Sequence, residues 1–356
     1  MSSSNESIVG ATTRRIFADL GDPRSINQAR DDGWRQALWS ALEEAGLTRA
    51  WIPEAFGGAG ASLADGFEVL RVAGQFACPV ALGETLLAGW ILSRAGQECP
   101  PGAMSVAPMR SGHGITMGGN GRLSGTACSV PYAQGVDALV VVADHGGRTH
   151  IALVEPRNCR SSEQAPILDG SRVDFSFDDA APIAIFDAPL DFDQQSVMLM
   201  GAVVRSVQIA GALESILELT VEYAKDRFAF ERPLAKFQAV QHNLARLAGE
   251  VAAALAVSGS AADAVAHAER LDEAGLFLEA ASAKIRVGEA AGEVARIAHQ
   301  VHGAIGFTAE YVLQRYTRQA WVWRDDFDTE SHWARRLGEL VASQGADDLW
   351  PMLAAR

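Results

Sequence analysis

The strongest constraint on the fold is a hydrophobic period that changes twice along the chain. Up to about residue 104 the apolar residues recur every three to four positions. Trp34, Leu38, Leu42 and Ala45 share one helix face, and Phe67, Leu70 and Ala73 share another within 63–77. Between them IPEAFGGAGAS (52–62) breaks the helix with Pro and Gly, and Ser62 is a candidate N-cap. From about 105 to 186 the runs become short and β-branched. ALVVVA (138–143) and HIALV (150–154) flank DHGGR (144–148), whose glycines suit a hairpin turn, and 172–177 and 183–186 are further candidate strands. After 191 the helical period returns over 197–226, 238–267, 271–302 and 331–344, with Leu244, Leu247, Ala248 and Val251 at i, i+3, i+4 and i+7. The expected fold is mainly α with a small β domain. It has an N-terminal helical bundle (1–104), a middle antiparallel β domain (105–190) and a C-terminal four-helix bundle (191–356).

Hydrophobic residues make up 48% and charged residues 21% of the 356, values of a packed chain able to bury a large core. A formal charge of −14 with no basic segment argues against a nucleic-acid partner. No apolar run reads as long enough for a membrane helix, so no membrane insertion is expected. The polar start MSSSNESIVGATTRR carries no apolar leader, which makes a cytoplasmic protein the expectation. Cys78, Cys99, Cys128 and Cys159 lack CxxC spacing and paired histidines, so reduced thiols and no metal site are expected.

Two segments offer the chemistry of a ligand site. RFAFERPLAKFQAVQ (227–241) sets Arg227 three residues before Phe230 where a helix ends, and QVHGAIGF (300–307) sets Gln300 before two glycines. A guanidinium for phosphate, an aromatic surface for a planar ring and glycines for close backbone approach are the parts a bulky cofactor needs. Taken singly the same residues also fit plainer roles. Arg227 suits a helix C-terminus, Phe230 a core, Gln238 and Gln241 a solvated face, and Gly303 and Gly306 a C-cap and a turn.

The α, small β, long α order together with three motifs resembles the acyl-CoA dehydrogenase family over nearly the whole chain. IPEAFGGAG (52–60) is similar to the family's IPE-x-x-GG-x-G. YAKDRFAFERPLAKFQAVQH (223–242) is similar to R-x-x-F-G-x-P-I-x-x-F-Q-x-x-Q, with Glu231 at the usual glycine. QVHGAIGFTAEYVLQRYTRQA (300–320) is similar to Q-x-x-G-G-x-G-x-x-x-E-x-x-x-x-R-x-x-R-D-A, with Ala304 and Gln319 as departures. The resemblance implies that Arg227, Phe230, Leu234, Phe237, Gln238, Gln300 and Gly303 embrace FAD held mainly by a neighbouring subunit, with the arginine on the pyrophosphate. It also implies α,β-dehydrogenation of an acyl-CoA, an electron-transfer flavoprotein as acceptor, and a homo- or hetero-tetramer with two-fold symmetry.

The chain's own half of such a site departs from the pattern. APMRSGHGI (107–115) stands where the family has a TEPGAGSD-like segment, and ACSVPY (127–132) where it has a W-x-T strand. The family's E-G-T loop falls on Phe327, Asp328 and Thr329, so the glutamate base is missing, and its other base position falls near Gly201. Two explanations follow. Asp326 or Asp328 serves as the base, with Thr329 kept as a flavin or loop contact, or a second homologous subunit supplies it. A non-catalytic partner subunit and a flavin monooxygenase or oxidase on the same fold are the alternatives. Little bulk at Gly201 and Ala202 is expected to widen the acyl pocket.

Overall fold

The computed structural model describes residues 7–29, 31–112, 114–133, 135–163, 172–271 and 273–354. His113, within the 107–115 segment that departs from the TEPGAGSD-like pattern, lies outside them. The chain begins with helices α1 (Ile8–Leu20), α2 (Pro23–Gln28), α3 (Gly33–Glu44), α4 (Leu63–Gln75) and α5 (Leu82–Arg94). Strands β1 (Met104–Ala107), β2 (Thr116–Met117), β3 (Leu123–Pro131), β4 (Ala138–His145), β5 (Arg148–Val154), β6 (Arg160–Glu163), β7 (Arg172–Ala180) and β8 (Ala184–Asp187) follow. Helix α6 (Gln194–Asp226) leads through a short hairpin, β9 (Phe228–Ala229) and β10 (Arg232–Pro233), into α7 (Gln238–His267) and α8 (Ala274–His302). The chain ends with α9 (Leu313–Arg324), α10 (Glu330–Gln344) and α11 (Leu349–Ala354).

Local chemistry sets many of these boundaries. Ser62 caps α4 in a reciprocal box with Asp65, so two N–H groups that the helix cannot satisfy internally find acceptors. Asp193 and Ser196 do the same for α6. The β4–β5 hairpin turns at the expected glycines. The sheet runs β6-β7-β3-β2-β4-β5-β8, and β1 joins it alongside β4. Most pairings are antiparallel, but β1 and β2 both run parallel to β4, which neither reaches through a direct hairpin.

Helix α6 ties the molecule together. One apolar cluster joins its first half to the N-terminal helices and the sheet, and a second joins its other half to α7, α8 and α9. Helices α6 and α7 are each long and apolar enough to cross a membrane, contrary to the expectation that no run reaches that length. The apolar window of α6 is wholly buried by its own chain, so its hydrophobicity on all sides serves a core. That of α7 is only 28% buried.

Helices α4 and α6 cross at backbone contact. A Cβ on Gly74 would lie 2.1 Å from Gln208 O, and one on Gly211 would lie 2.1 Å from Arg71 O. Gly211→Ala must therefore push the helices apart and is expected to cost about 1–3 kcal/mol. Gly249→Ala in α7, where nothing stands within 4 Å, should instead stabilise by about 0.5–1 kcal/mol. Denaturant midpoints of the two variants check the opposite signs.

Candidate functional site

Two candidate regions occupy opposite ends of α6. Gly201 lies near its start and Arg227 caps its end, 26 residues apart, which is about 39 Å at 1.5 Å per residue. The two regions are therefore well separated along one helix.

At the far end α6 stops at Asp226, and Arg227 is the extended C-cap residue. Arg227 and Phe230 are thus set by a cap and a hairpin turn rather than by one helical turn. The turn between β9 and β10 places Phe230 (φ 50°) and Glu231 (φ 65°) in the left-handed region, strained for both side chains and free of cost for the glycine usual at the second. Phe230 is 91% exposed at the hairpin tip, with its ring 6.4 Å from Phe237, over which the Arg232 guanidinium lies at 4.0 Å. Leu234 and Phe237 are half-buried, and Gln238 opens α7 on its exposed side. Among the described residues Arg227 is exposed and has no ion-pair partner.

The second motif meets the first through Tyr223, whose hydroxyl donates to His302 O at 3.2 Å while its carbonyl accepts the Arg227 N–H at 2.9 Å. Gly303 caps α8 at φ 67°, ψ −147°, a conformation essentially reserved for glycine, and a Cβ there would project into open space. Gln300 is exposed beside it. An unpaired guanidinium, an exposed ring and an open glycine cradle fit an anionic, aromatic cofactor such as FAD.

The near end of α6 is built differently. The Phe327 ring lies so close over Gly201 that a Cβ there would be 2.3 Å from its Cδ1. The two positions at which the resemblance looks for a base are therefore neighbours in space, with the Phe327 ring packed directly on Gly201. The expected widening of the pocket at Gly201 and Ala202 is not found, because Phe327 takes that volume and Ala202 is fully buried. The loop is fastened on three sides: Phe327 N donates to Met109 O at 3.1 Å, Trp333 Nε1 donates to Phe327 O at 2.8 Å, and the Asp328 carboxylate accepts from Ser111 N at 3.1 Å. Phe327 and Asp328 are both left-handed, at φ 53° and 67°. Thr329 is exposed at the N-cap of α10.

Asp326 does not suit the role of base. It is 2% exposed and fully engaged, its two oxygens accepting from Arg172 Nη1 at 2.6 Å and Arg205 Nε at 2.9 Å. Burial pushes its carboxyl upward, but Arg172 and Arg205 outweigh this and hold it below the usual carboxylate range. Arg205 also pairs with Glu84 and donates to Gln208 Oε1. Lys284 reaches the same cluster through the backbone, donating to Arg324 O at 2.8 Å and Asp326 O at 2.6 Å. Burial lowers its ammonium to about 7 against the pull of Asp326. Asp328 is less enclosed, with His332 Nε2 at 3.4 Å, and it remains the only carboxylate in the 326–329 loop without a guanidinium partner among the described contacts. Sequence patterns did not reveal this cluster, since its members come from α5, β7, α6, α8 and the loop after α9. The four cysteines form no disulfide with one another, and no group of metal-ligating side chains is found among the described residues.

Residues 193–324 match the family described as acyl-CoA dehydrogenase, C-terminal domain. Over 314 residues, 87% of this chain and 88% of the relative, the sequence is 30% identical to acyl-CoA dehydrogenase IpdE2 of Mycobacterium tuberculosis. The chain belongs to the acyl-CoA dehydrogenase family. Its fold is similar to a chain of the ChsE4-ChsE5 complex from Mycobacterium tuberculosis, with a TM-score of 0.85 at 24% identity over 97% of this chain and 99% of that one. A Tcur3481-Tcur3483 steroid ACAD is similar at 25% identity and a TM-score of 0.81, over 94% and 97% of the two chains. Both C-terminal motifs of this acyl-CoA dehydrogenase relative, 223–242 and 300–320, lie within the matched region.

Proposed function

We propose that this chain is one subunit of an FAD-dependent acyl-CoA dehydrogenase, in which it completes the flavin site of a homologous partner and the partner supplies the catalytic base. One observation carries the reading: Phe327 packs on Gly201, so carbon fills both places where the family resemblance looks for a carboxylate. The outward-facing Arg227, Phe230, Gln300 and Gly303, and the largely uncovered apolar face of α7, favour an assembly with another chain. Arg227 would meet the pyrophosphate, Gly303 would let the backbone approach it, and Phe230 and Phe237 would offer ring surface. FAD, when bound, supplies the hydride acceptor for the β carbon of the acyl-CoA, and an electron-transfer flavoprotein takes the electrons onward. The names of relatives that pair two chains, and of one that is a steroid enzyme, favour a heteromer acting on a bulky, polycyclic acyl group.

The test combines reconstitution with substitution. The chain alone should be colourless, and it should retain yellow flavin only with its partner. In that assembly Asp328→Asn should change turnover less than about tenfold, whereas loss of an aligned base costs on the order of a hundredfold or more. A yellow, active homomer, or a near-complete loss of turnover in Asp328→Asn, would overturn the reading. Arg227→Gln should weaken flavin retention by about ten- to a hundredfold through one charge-assisted contact.

A further inference from the structure

Two histidines in the last turn of α8 lie directly beneath the 303–307 cap, and neither takes part in the contacts proposed above. His299 is 7% and His302 4% exposed. His299 Nε2 stands 3.0 Å from Thr317 Oγ1, and its ring stacks on Phe307 at 4.3 Å. Its Nδ1 has no hydrogen-bond partner among the described residues. A Cβ on Gly306 would be 3.2 Å from that nitrogen and 3.0 Å from His302 Cβ, so the cap backbone rests on both side chains. His302 Nδ1 is 2.8 Å from Ala298 O, which assigns the hydrogen of the neutral ring to Nδ1 and leaves a lone pair on Nε2. That Nε2 is buried without a hydrogen-bond partner among the described residues. The His302 ring stacks on Tyr223 at 4.3 Å and tilts against Tyr311 at 5.2 Å.

A second proton on either ring would create a buried cation whose new N–H points at no acceptor. The neighbours give it no relief. Within α8 each ring faces the other; α9 contributes Thr317, α6 contributes Tyr223, the cap contributes Phe307, and Tyr311 has Glu222 and Arg24 beside it, which are opposite in sign. Among the described residues neither histidine is paired with a carboxylate.

We propose that His299 and His302 are positioning residues that hold the 303–307 cap in its folded shape while both rings are neutral, and release it in mild acid. The link to FAD rests on the function proposed above, but the release itself does not. Burial lowers both imidazoles below their ordinary value, with His302 lowered further by His299 and raised by Ala298 O. The sign follows from linkage. The open cap binds more protons than the closed one, so closure is complete above the free imidazole value of about 6.5 and is lost as pH falls below it toward the depressed values.

Hydrogen exchange of the full chain tests this, read on amides 303–311 and corrected for intrinsic rates between pH 7.5 and 5.0. Protection there should fall on the order of tenfold or more, while α5 amides stay protected. The double variant His299→Gln with His302→Phe keeps the Thr317 contact and the aromatic stack but cannot titrate, so its protection should not change with pH. Should the double variant fail to fold, each single variant should lose part of the pH response. Unchanged protection in the parent chain, or equal loss in the non-titrating variants, would overturn the proposal. In whichever assembly retains FAD, flavin fluorescence should report release over the same pH range. Cap opening without flavin release would count against the cofactor reading while leaving the switch intact.

Discussion

Asp326→Asn is expected to lower the unfolding free energy by about 3–5 kcal/mol, the cost of removing one partner from a buried ion cluster. The substitution leaves Arg172 and Arg205, 2.6 and 2.9 Å away, facing a neutral amide, with Glu84 as the remaining anion beside Arg205. Water cannot relieve the deficit, since Arg205 is 1% exposed. The same pairing predicts an acid limb. Because the folded carboxyl is held below its free value, its contribution is present above about pH 3.9 and is lost as pH falls through the folded value. The variant should therefore unfold at lower denaturant and show a weaker dependence on acid. If Asp326 were the base, Asp326→Asn would instead give a protein of unchanged denaturation midpoint and abolished turnover. A chemical denaturation series at pH 7 and pH 2.5, read beside turnover at pH 7, separates the two.

The second large effect is expected at Phe327. Phe327→Ala removes a ring that is 1% exposed, packs on Gly201 and faces the Arg205 guanidinium at 5.9 Å, so a loss of about 3–5 kcal/mol follows from the lost burial and the cavity left behind. The left-handed backbone at φ 53° adds a distinctive signature. Phe327→Gly should be at least as stable as Phe327→Ala, the reverse of their order in a helix interior, because glycine relieves about 1–2 kcal/mol of backbone strain there. Turnover of the flavin-loaded assembly, measured on the folded fraction, should change by no more than severalfold in either variant. A ring that only fills space contributes packing and no proton transfer.

Both predictions depend on contacts that no local pattern reveals. Arg205 and Asp326 are 121 residues apart in sequence, and nothing around either residue marks the other as its partner. Helix α9 escaped the periodic reading for a related reason: its buried side includes Arg315, Thr317 and Gln319, polar residues that look solvent-facing until their surroundings are known. Helix α6 misled differently. Its length and apolarity match those of a membrane span, and only the surrounding sheet and helices reveal a core element.

The sequence by itself determined the features that arise from near neighbours. These are the helical and strand periods, the Ser62 cap, the hairpin at the Gly146-Gly147 turn, and the motifs that resemble the family. Each follows from backbone geometry and side-chain spacing over a few residues, which a linear string preserves. Tertiary structure decided where those motifs stand and what occupies the space between them. It set the two candidate regions at opposite ends of one helix, laid Phe327 over Gly201, and enclosed Asp326 among cations. Such outcomes depend on volume and charge brought together from distant segments, and close packing admits one occupant for each space.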